Sequence, residues 1–404
     1  MEQQNVVYIG TYLTEPLQDS YDWDQHSPAG QTKQESTVSA LSRAGYDVDV
    51  VSSTVIADDT VGANRTVVDS SDTATVYVSP MIRIVHKALP PGLRRVVAAI
   101  QNKFILTLSS TLLLLRLSLR TEYDAIVFYN FNLVTSVPAF VASLLFGTPL
   151  VIEYSDSRAD SASRADRIKD SIYLTVIGRR VSGAIYINAH MAELLGTDKQ
   201  TVVRGTPSIE LTEDDLRSEQ SRSPLTIFYG GRLDDVRGVS KLVRLAPDLI
   251  SELDVEIRIT GYGPKSDAVA REVERIDSER VDFLGFISKE QYKSELLTSD
   301  VALNLQSPSA PGNRYTFPTK ILDYLATGNV VVSTKMSDLE RELDDVLVFT
   351  EPKTPQIYDT IESAVSNYAE LSARSERGVE WIQRECSPEK RTEDISRLLD
   401  EVCA

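Results

Sequence analysis

The sequence is read as an α/β protein of two doubly wound domains, on three observations. Apolar runs of strand length alternate with helical patterns from end to end, the alternation stops once at a polar stretch near the middle, and 404 residues suffice for two cores. In the first half the strand runs are 6–9, 47–52, 75–78, 125–129, 149–153 and 183–187, with a helical pattern over 33–44 that ends at Gly45. Residues 206–223 are polar and acidic and lack strand periodicity, so they are read as the linker. The alternation then restarts at 225–229, 256–260, 281–284, 301–305, 330–333 and 346–349. The plan is a first domain over 1–205, a linker over 206–223, a second domain over 224–365, and helices over 366–404. Those helices carry Trp381 and Ile382 as anchors, break near Pro388 and are expected to pack back on the first domain.

Composition narrows the function classes. Hydrophobic residues at 42% and charged residues at 25% describe an ordinary globular chain. The longest apolar run, Phe104 to Leu115, is closed by Lys103 and Arg116 and falls short of the roughly 18 to 20 residues a membrane span needs. The N-terminus has no basic region leading into an apolar stretch, so the expected location is the cytoplasm. A net charge of −17 repels polyphosphate backbones and argues against a nucleic-acid partner. Only 13 of the 42 cations are lysine, and acid excess with little lysine suits a halophilic source. Cys386 and Cys403 are expected to be free thiols. The three histidines, His26, His86 and His190, are scattered, so no metal cofactor is expected.

The candidate chemistry sits at the C-terminal ends of the second domain's strands, where a doubly wound sheet binds ligands. The run 225–229 passes directly into GGRLDDVRG, which puts Gly230 and Gly231 at a close backbone approach and Arg232 and Arg237 beside it. Two guanidinium groups next to a glycine turn suit a diphosphate, and the plain alternative is a surface loop whose arginines pair with Asp234 and Asp235. The run 256–260 ends in GYGP, with Gly261 and Gly263. That spacing is not GxGxxG and argues against a nicotinamide dinucleotide, and a lone GxG is often only a turn. Within 313–334, Pro318 and Thr319 open a helix closed by Gly328. The segment Thr316, Phe317, Pro318 and Thr319 presents backbone N–H groups that can hold an anion, and Asp323 one turn deeper can accept from ribose hydroxyls. The alternative is a well-capped surface helix.

Together GRLDDVRG, GYG and YTFPTKILDYLATGNVVVST resemble, in order and spacing, the C-terminal half of the GT-B glycosyltransferases, specifically the retaining glycosyltransferase family 4 (group 1). The resemblance covers about 224–335. The segment 27–53 is similar to that family's first glycine loop, with Gly30, and 138–156 looks like the strand that delivers a polar residue to the reacting sugar. Here Glu153, Tyr154, Ser155 and Asp156 stand where many relatives have histidine, and Tyr315 stands where the family has its first glutamate. What the resemblance implies is two Rossmann-like domains facing each other across a cleft. It implies metal-independent, retaining transfer of a sugar from a nucleotide diphosphate to a hydroxyl acceptor. Arg232, Arg237 and Asp156 would be the catalytic groups; Gly30, Gly231, Gly261, Gly263, Ile287, Thr316, Phe317, Pro318, Thr319 and Asp323 would hold the donor. A nucleotide-sugar epimerase of the same fold and a non-catalytic partner subunit remain as alternatives.

The acceptor side is read from charge. Residues 73–121 contain no Asp or Glu, where the chain's average would place about seven, and they carry Arg83, Lys87, Arg94, Arg95, Lys103, Arg116 and Arg120. Apolar residues recur there at helical spacing, so Arg83, Lys87, Arg94, Arg95 and Lys103 are expected to meet a glycan or lipid-linked acceptor by peripheral docking on the inner face of the cell membrane. The plain alternative for 104–119 is a buried helix leading to the strand at 125–129, and for the leucines after Leu112 burial is the expectation.

Overall fold

The computed structural model describes residues 4–20, 28–54, 66–80, 91–212, 215 and 223–404; for 19–20, 28–29 and 91–102 it describes the backbone only. The chain forms two compact units, 1–203 with 388–404, and 204–387.

In the first unit the order is β1 (Asn5–Gly10), α1 (Glu15–Ser20), α2 (Pro28–Arg43), β2 (Asp47–Ser52), β3 (Val67–Ser70), β4 (Thr75–Val78), α3 (Pro91–Ser118), β5 (Ala125–Tyr129), α4 (Leu133–Phe146), β6 (Leu150–Tyr154), α5 (Arg164–Val176), β7 (Val181–Tyr186) and β8 (Gln200–Val202). The strands pair as β3-β4-β2-β1-β5-β6-β7-β8, and only β3 runs antiparallel. Central strands such as β1 and β6 are buried along nearly their whole length, as parallel strands covered on both faces must be, which is why they read as unbroken apolar runs. β3 and β8 were absent from the sequence reading because both are short and lie at or next to the sheet edge.

The second unit runs β9 (Leu225–Arg232), α6 (Val239–Glu252), β10 (Val255–Tyr262), α7 (Ser266–Ile276), β11 (Val281–Gly285), α8 (Lys289–Leu297), β12 (Val301–Asn304), α9 (Lys320–Ala326), β13 (Val330–Thr334), α10 (Leu339–Leu343), β14 (Val348–Thr350), α11 (Thr354–Ser366) and α12 (Tyr368–Glu385). Its six parallel strands are ordered β11-β10-β9-β12-β13-β14. Ile227, Tyr229, Ile257, Ile259, Val301, Leu303 and Val332 form its core with the inner faces of α6 and α11.

The last helix, α13 (Pro388–Cys403), belongs to the first unit, where Ile395, Leu398, Leu399 and Val402 join the core. Val402 sits so close to β7 that a Cβ on Gly183 would lie 2.5 Å from it, so only glycine lets the helix seat. The expected return of the whole segment 366–404 is thereby corrected: α12 stays with the second unit, packed on α9, where a Cβ on Gly378 would meet Leu325 at 2.8 Å. The expected linker also begins too early, since Arg204 and Ser208 are fixed within the second unit by contacts described below.

Candidate functional site

In the second unit β9 and β10 are paired to their last residues, with Gly261 opposite Gly231 and Tyr262 opposite Arg232. A Cβ on Gly261 would lie 1.7 Å from the Gly231 carbonyl, and its φ of 138° is open to glycine alone, so the two strand ends can approach only here. Gly263 packs its Cα against the Leu233 backbone in the same way. The Leu233 N–H donates to the Tyr262 carbonyl (2.8 Å), which turns the chain after Arg232 outward into the arginine loop.

That loop pairs two arginines with one carboxylate, and a lysine of α9 stands beside it. Asp234 accepts from Arg232 Nε at 3.2 Å and from an Arg237 guanidinium nitrogen at 2.8 Å. Both guanidinium groups stay partly exposed, at 50% and 39% of their side chains. Lys320, the first residue of α9, is half-buried with its Nζ 4.3 Å from the Tyr229 ring centre. Burial first, then the Arg237 charge, push the Lys320 ammonium down to about 7, against the pull of Asp234. The pairing of Asp235 goes elsewhere, to Lys265 (2.9 Å) and Ser240 (2.6 Å). One carboxylate therefore balances three cations, and the excess positive charge suits an incoming diphosphate.

This arrangement has a pH signature. Bound anion favours the charged ammonium, so nucleoside diphosphate affinity is expected to be highest below pH 7 and to fall by up to about tenfold per unit as pH rises above it. Lys320→Arg should keep the affinity and flatten the slope, measured by calorimetric titration across pH 6 to 9; an unchanged slope would assign the titration to another group.

Asp323 is placed differently from the ribose-facing role. Its carboxylate is buried and accepts the Ser208 N–H (2.5 Å), the Ser208 hydroxyl (2.9 Å) and, more weakly, the Tyr292 hydroxyl (3.4 Å). It fastens the 204–209 segment to α9, and neither oxygen is left over for a sugar hydroxyl. Burial outweighs these hydrogen bonds and raises its pKa from 3.8 to about 6. The folded unit then holds this proton more tightly than the unfolded chain, so this group's share of stability declines as pH rises from about 4 to about 6. Asp323→Asn is expected to cost about 1 to 3 kcal/mol of unfolding free energy, to remove that decline, and to leave nucleotide affinity unchanged. Chemical denaturation at pH 5 and 8 checks it.

Of the other expected donor contacts, Phe317 is buried with the Arg204 guanidinium 5.1 Å from its ring centre, and so is Pro318. Thr316 is half-buried, its hydroxyl donating to the Asn313 carbonyl (3.2 Å), and Thr319 is exposed at the head of α9. Tyr315 is buried beneath the Arg314 guanidinium, so it packs where a glutamate would reach out. Ile287 is half-buried. Beside it the sequence reading missed an exposed aromatic pair, Tyr262 and Phe286, at the ends of β10 and β11, with ring centres 5.5 Å apart and edge-on. Two aromatic residues after strand-ending glycines were the signal available.

In the first unit the sheet's C-terminal edge carries a second polar group. Glu153 is fully buried and accepts from Tyr8 (2.6 Å) and Thr37 (2.9 Å), and Tyr154 is buried against Asp170 (3.2 Å). Of the four polar residues expected there, only Asp156 is exposed. Its turn is held by Asn130, whose backbone is left-handed (φ 53°) and whose Oδ1 accepts the N–H groups of Ser155 (2.7 Å) and Asp156 (3.1 Å). Lys33 on α2 was also missed: its ammonium is buried without a hydrogen bond, near Glu153, Arg391 and Asp156, and burial lowers it to about 8. Gly30 lies in the first turn of α2, its carbonyl accepting from Gln34 (3.1 Å). Arg83 and Lys87 lie outside the described residues, Arg94 and Arg95 lie in α3, and Lys103 is exposed on it.

Residues 224–367 match the family model described as Glycosyl transferases group 1. Over 190 residues the chain is 24% identical to the phosphatidylinositol N-acetylglucosaminyltransferase gpi3 subunit of Schizosaccharomyces pombe, a match that takes in 46% of this chain and 40% of that relative's length. Among solved structures, sucrose-phosphate synthase from Thermosynechococcus elongatus superposes with a TM-score of 0.69 at 14% identity, covering 98% of this chain and 99% of that one. The UDP-forming trehalose-phosphate synthase of Burkholderia vietnamiensis gives 0.70 at 12%, covering 100% and 98%. Anabaena HepE in complex with UDP gives 0.67 at 14%, covering 98% and 100%. The fold is that of the GT-B glycosyltransferases, and the match to the model described as Glycosyl transferases group 1 lies within the second unit.

Proposed function

We propose that the protein is a glycosyltransferase that takes a sugar from a nucleotide diphosphate donor to a hydroxyl acceptor, with retention and without a metal. The carrying observation is the trio Arg232, Arg237 and Lys320 around Asp234 at the glycine-lined end of β9. These cations would take up charge as the diphosphate leaves, which is the part of the reaction where fixed positive charge is worth most. The family match over 224–367 supports the reaction class. HepE is described in complex with UDP and with UDP-glucose, which supports a nucleotide-sugar donor. The exposed Tyr262 and Phe286 rings would offer the nucleobase a flat apolar platform. The gpi3 relative supports an acceptor on a lipid-linked glycan, and cytoplasmic work at the inner membrane face follows from that reading.

The experiment is incubation with UDP-, GDP- and dTDP-sugars carrying a radiolabelled sugar, with and without a membrane extract. Release of nucleotide with label moving into the extract is the expected result. Interconversion of the sugars without an acceptor would identify an epimerase, and silence on every donor would favour a non-catalytic partner subunit.

A further inference from the structure

Helix α3 buries the leucines after Leu112 on its inner side but leaves its outer side apolar and exposed. Leu113, Leu114 and Leu117 face the core, while Phe104, Leu108, Leu112 and Leu119 are 64%, 63%, 59% and 77% exposed. Spacings of four, four and seven residues put these on one side of the helix. Two more exposed groups follow, Leu144, Leu145 and Phe146 at the end of α4, and Ile168, Ile172 and Val176 along α5. Nine of the fourteen large apolar residues exposed among the described residues are therefore on α3, α4 and α5, and a tenth, Leu119, directly follows α3.

Topology brings the three helices to the same side. The connections β4 to β5, β5 to β6 and β6 to β7 all step in one direction along the sheet between parallel strands, and right-handed crossovers place their helices on one face. The step from β1 to β2 runs the other way, which puts α2, and α13 packed on it, on the opposite face. So large an exposed apolar surface is unusual for a protein that meets only water.

Charge says what covers it. In a chain of net charge −17, residues 73–121 hold no acid, and the exposed cations Lys103 and Arg116 on α3 and Arg120 just after it lie along this stretch. On α5 the exposed Arg164, Arg167 and Lys169 flank the apolar stripe; of its two acids, Asp170 is buried and Asp166 is ion-paired with Arg158 and Lys169. Among the described residues no helix is long and apolar enough to cross a membrane. An acid-poor apolar surface rimmed with cations complements an anionic lipid surface rather than another copy of this acidic chain.

We propose that the outer face formed by α3, α4 and α5 docks on an anionic membrane, with Phe104, Leu108, Leu112, Ile168 and Ile172 entering the headgroup boundary and Arg116, Arg120 and Arg167 meeting lipid phosphate. It deepens the reading of a lipid-linked acceptor, and lipid binding can be scored without any transfer reaction. This surface begins near Lys103, where the expected Arg83–Lys103 stretch ends, and spans three helices.

The test is flotation of the full chain with phosphatidylcholine vesicles containing 30 mol% phosphatidylglycerol, compared with phosphatidylcholine alone, at low and high salt. Wild type should float with the anionic vesicles and lose most of that binding in salt. Leu108→Glu/Leu112→Glu and Ile168→Glu/Ile172→Glu should each stay in the soluble fraction, and each lost cation in Arg116→Gln/Arg120→Gln should weaken binding about fivefold. Since all these side chains are exposed, melting curves and nucleotide binding should be unchanged, which separates failure of docking from failure of the donor site. Wild type that ignores anionic vesicles, or apolar variants that float as well as wild type, would overturn the proposal. So would a wild-type oligomer that the same substitutions break into monomers, because the face would then be a protein interface.

Discussion

Arg204→Ala is expected to lower the stability of the 204–387 unit by about 3 to 5 kcal/mol, which for a unit of this size is a fall in melting temperature of about 10 °C or more. Arg204 is 5% exposed and forms a two-pronged pair with Asp338 at 2.6 and 2.7 Å; Glu342 accepts a further bond at 2.5 Å. Its guanidinium also covers the Phe317 ring. Removing it strands the Asp338 carboxylate in a site that is equally buried, and the cost is that of an uncompensated buried charge rather than the worth of one ion pair. Replacing both partners, Arg204→Met with Asp338→Leu, should recover part of the loss. Differential scanning calorimetry checks this, and a single variant melting with wild type would mean that Arg204 does not hold this unit together.

Arg237→Ala is expected to cut turnover by about 10² to 10³ with little change in melting temperature. The Arg237 backbone N–H would still donate to Asp234 at 2.8 Å, so the loop keeps its shape, while a cation proposed to meet the diphosphate is gone. Arg232 is the more exposed of the two, and its loss should matter less because water screens it more. Arg237→Lys keeps charge without the fork and should recover only part of the activity. Steady-state rates with the preferred donor decide it; wild-type rates in Arg237→Ala would remove this arginine from the chemistry.

Much of the architecture was legible because parallel strands covered on both faces must be apolar. All twelve strand runs read from the sequence are found as strands, and the short β3 and β8 escaped because edge strands carry no such demand. The glycines after β9 and β10 were legible for a related reason, since their spacing marks backbone that has to meet backbone. Side-chain partnerships were not. Asp323 lies one turn into its helix, as read, but whether its carboxylate reaches a sugar or Ser208 depends on a residue 115 positions away. The same holds for Arg204, which looks like the edge of a polar linker until Asp338 folds against it, and for α3, where Leu113, Leu114 and Leu117 are buried as expected while helix phase exposes Phe104, Leu108 and Leu112.

The central claim is that the arginine loop after β9 holds a nucleoside diphosphate. Isothermal titration of UDP, GDP and dTDP into wild type and into Arg232→Ala/Arg237→Ala decides whether the loop binds such a nucleotide. At least one nucleotide should bind wild type, and the double variant should bind it at least about a hundredfold more weakly while melting at the same temperature. Equal affinity for both proteins, or no binding of any nucleotide to wild type, would contradict the account.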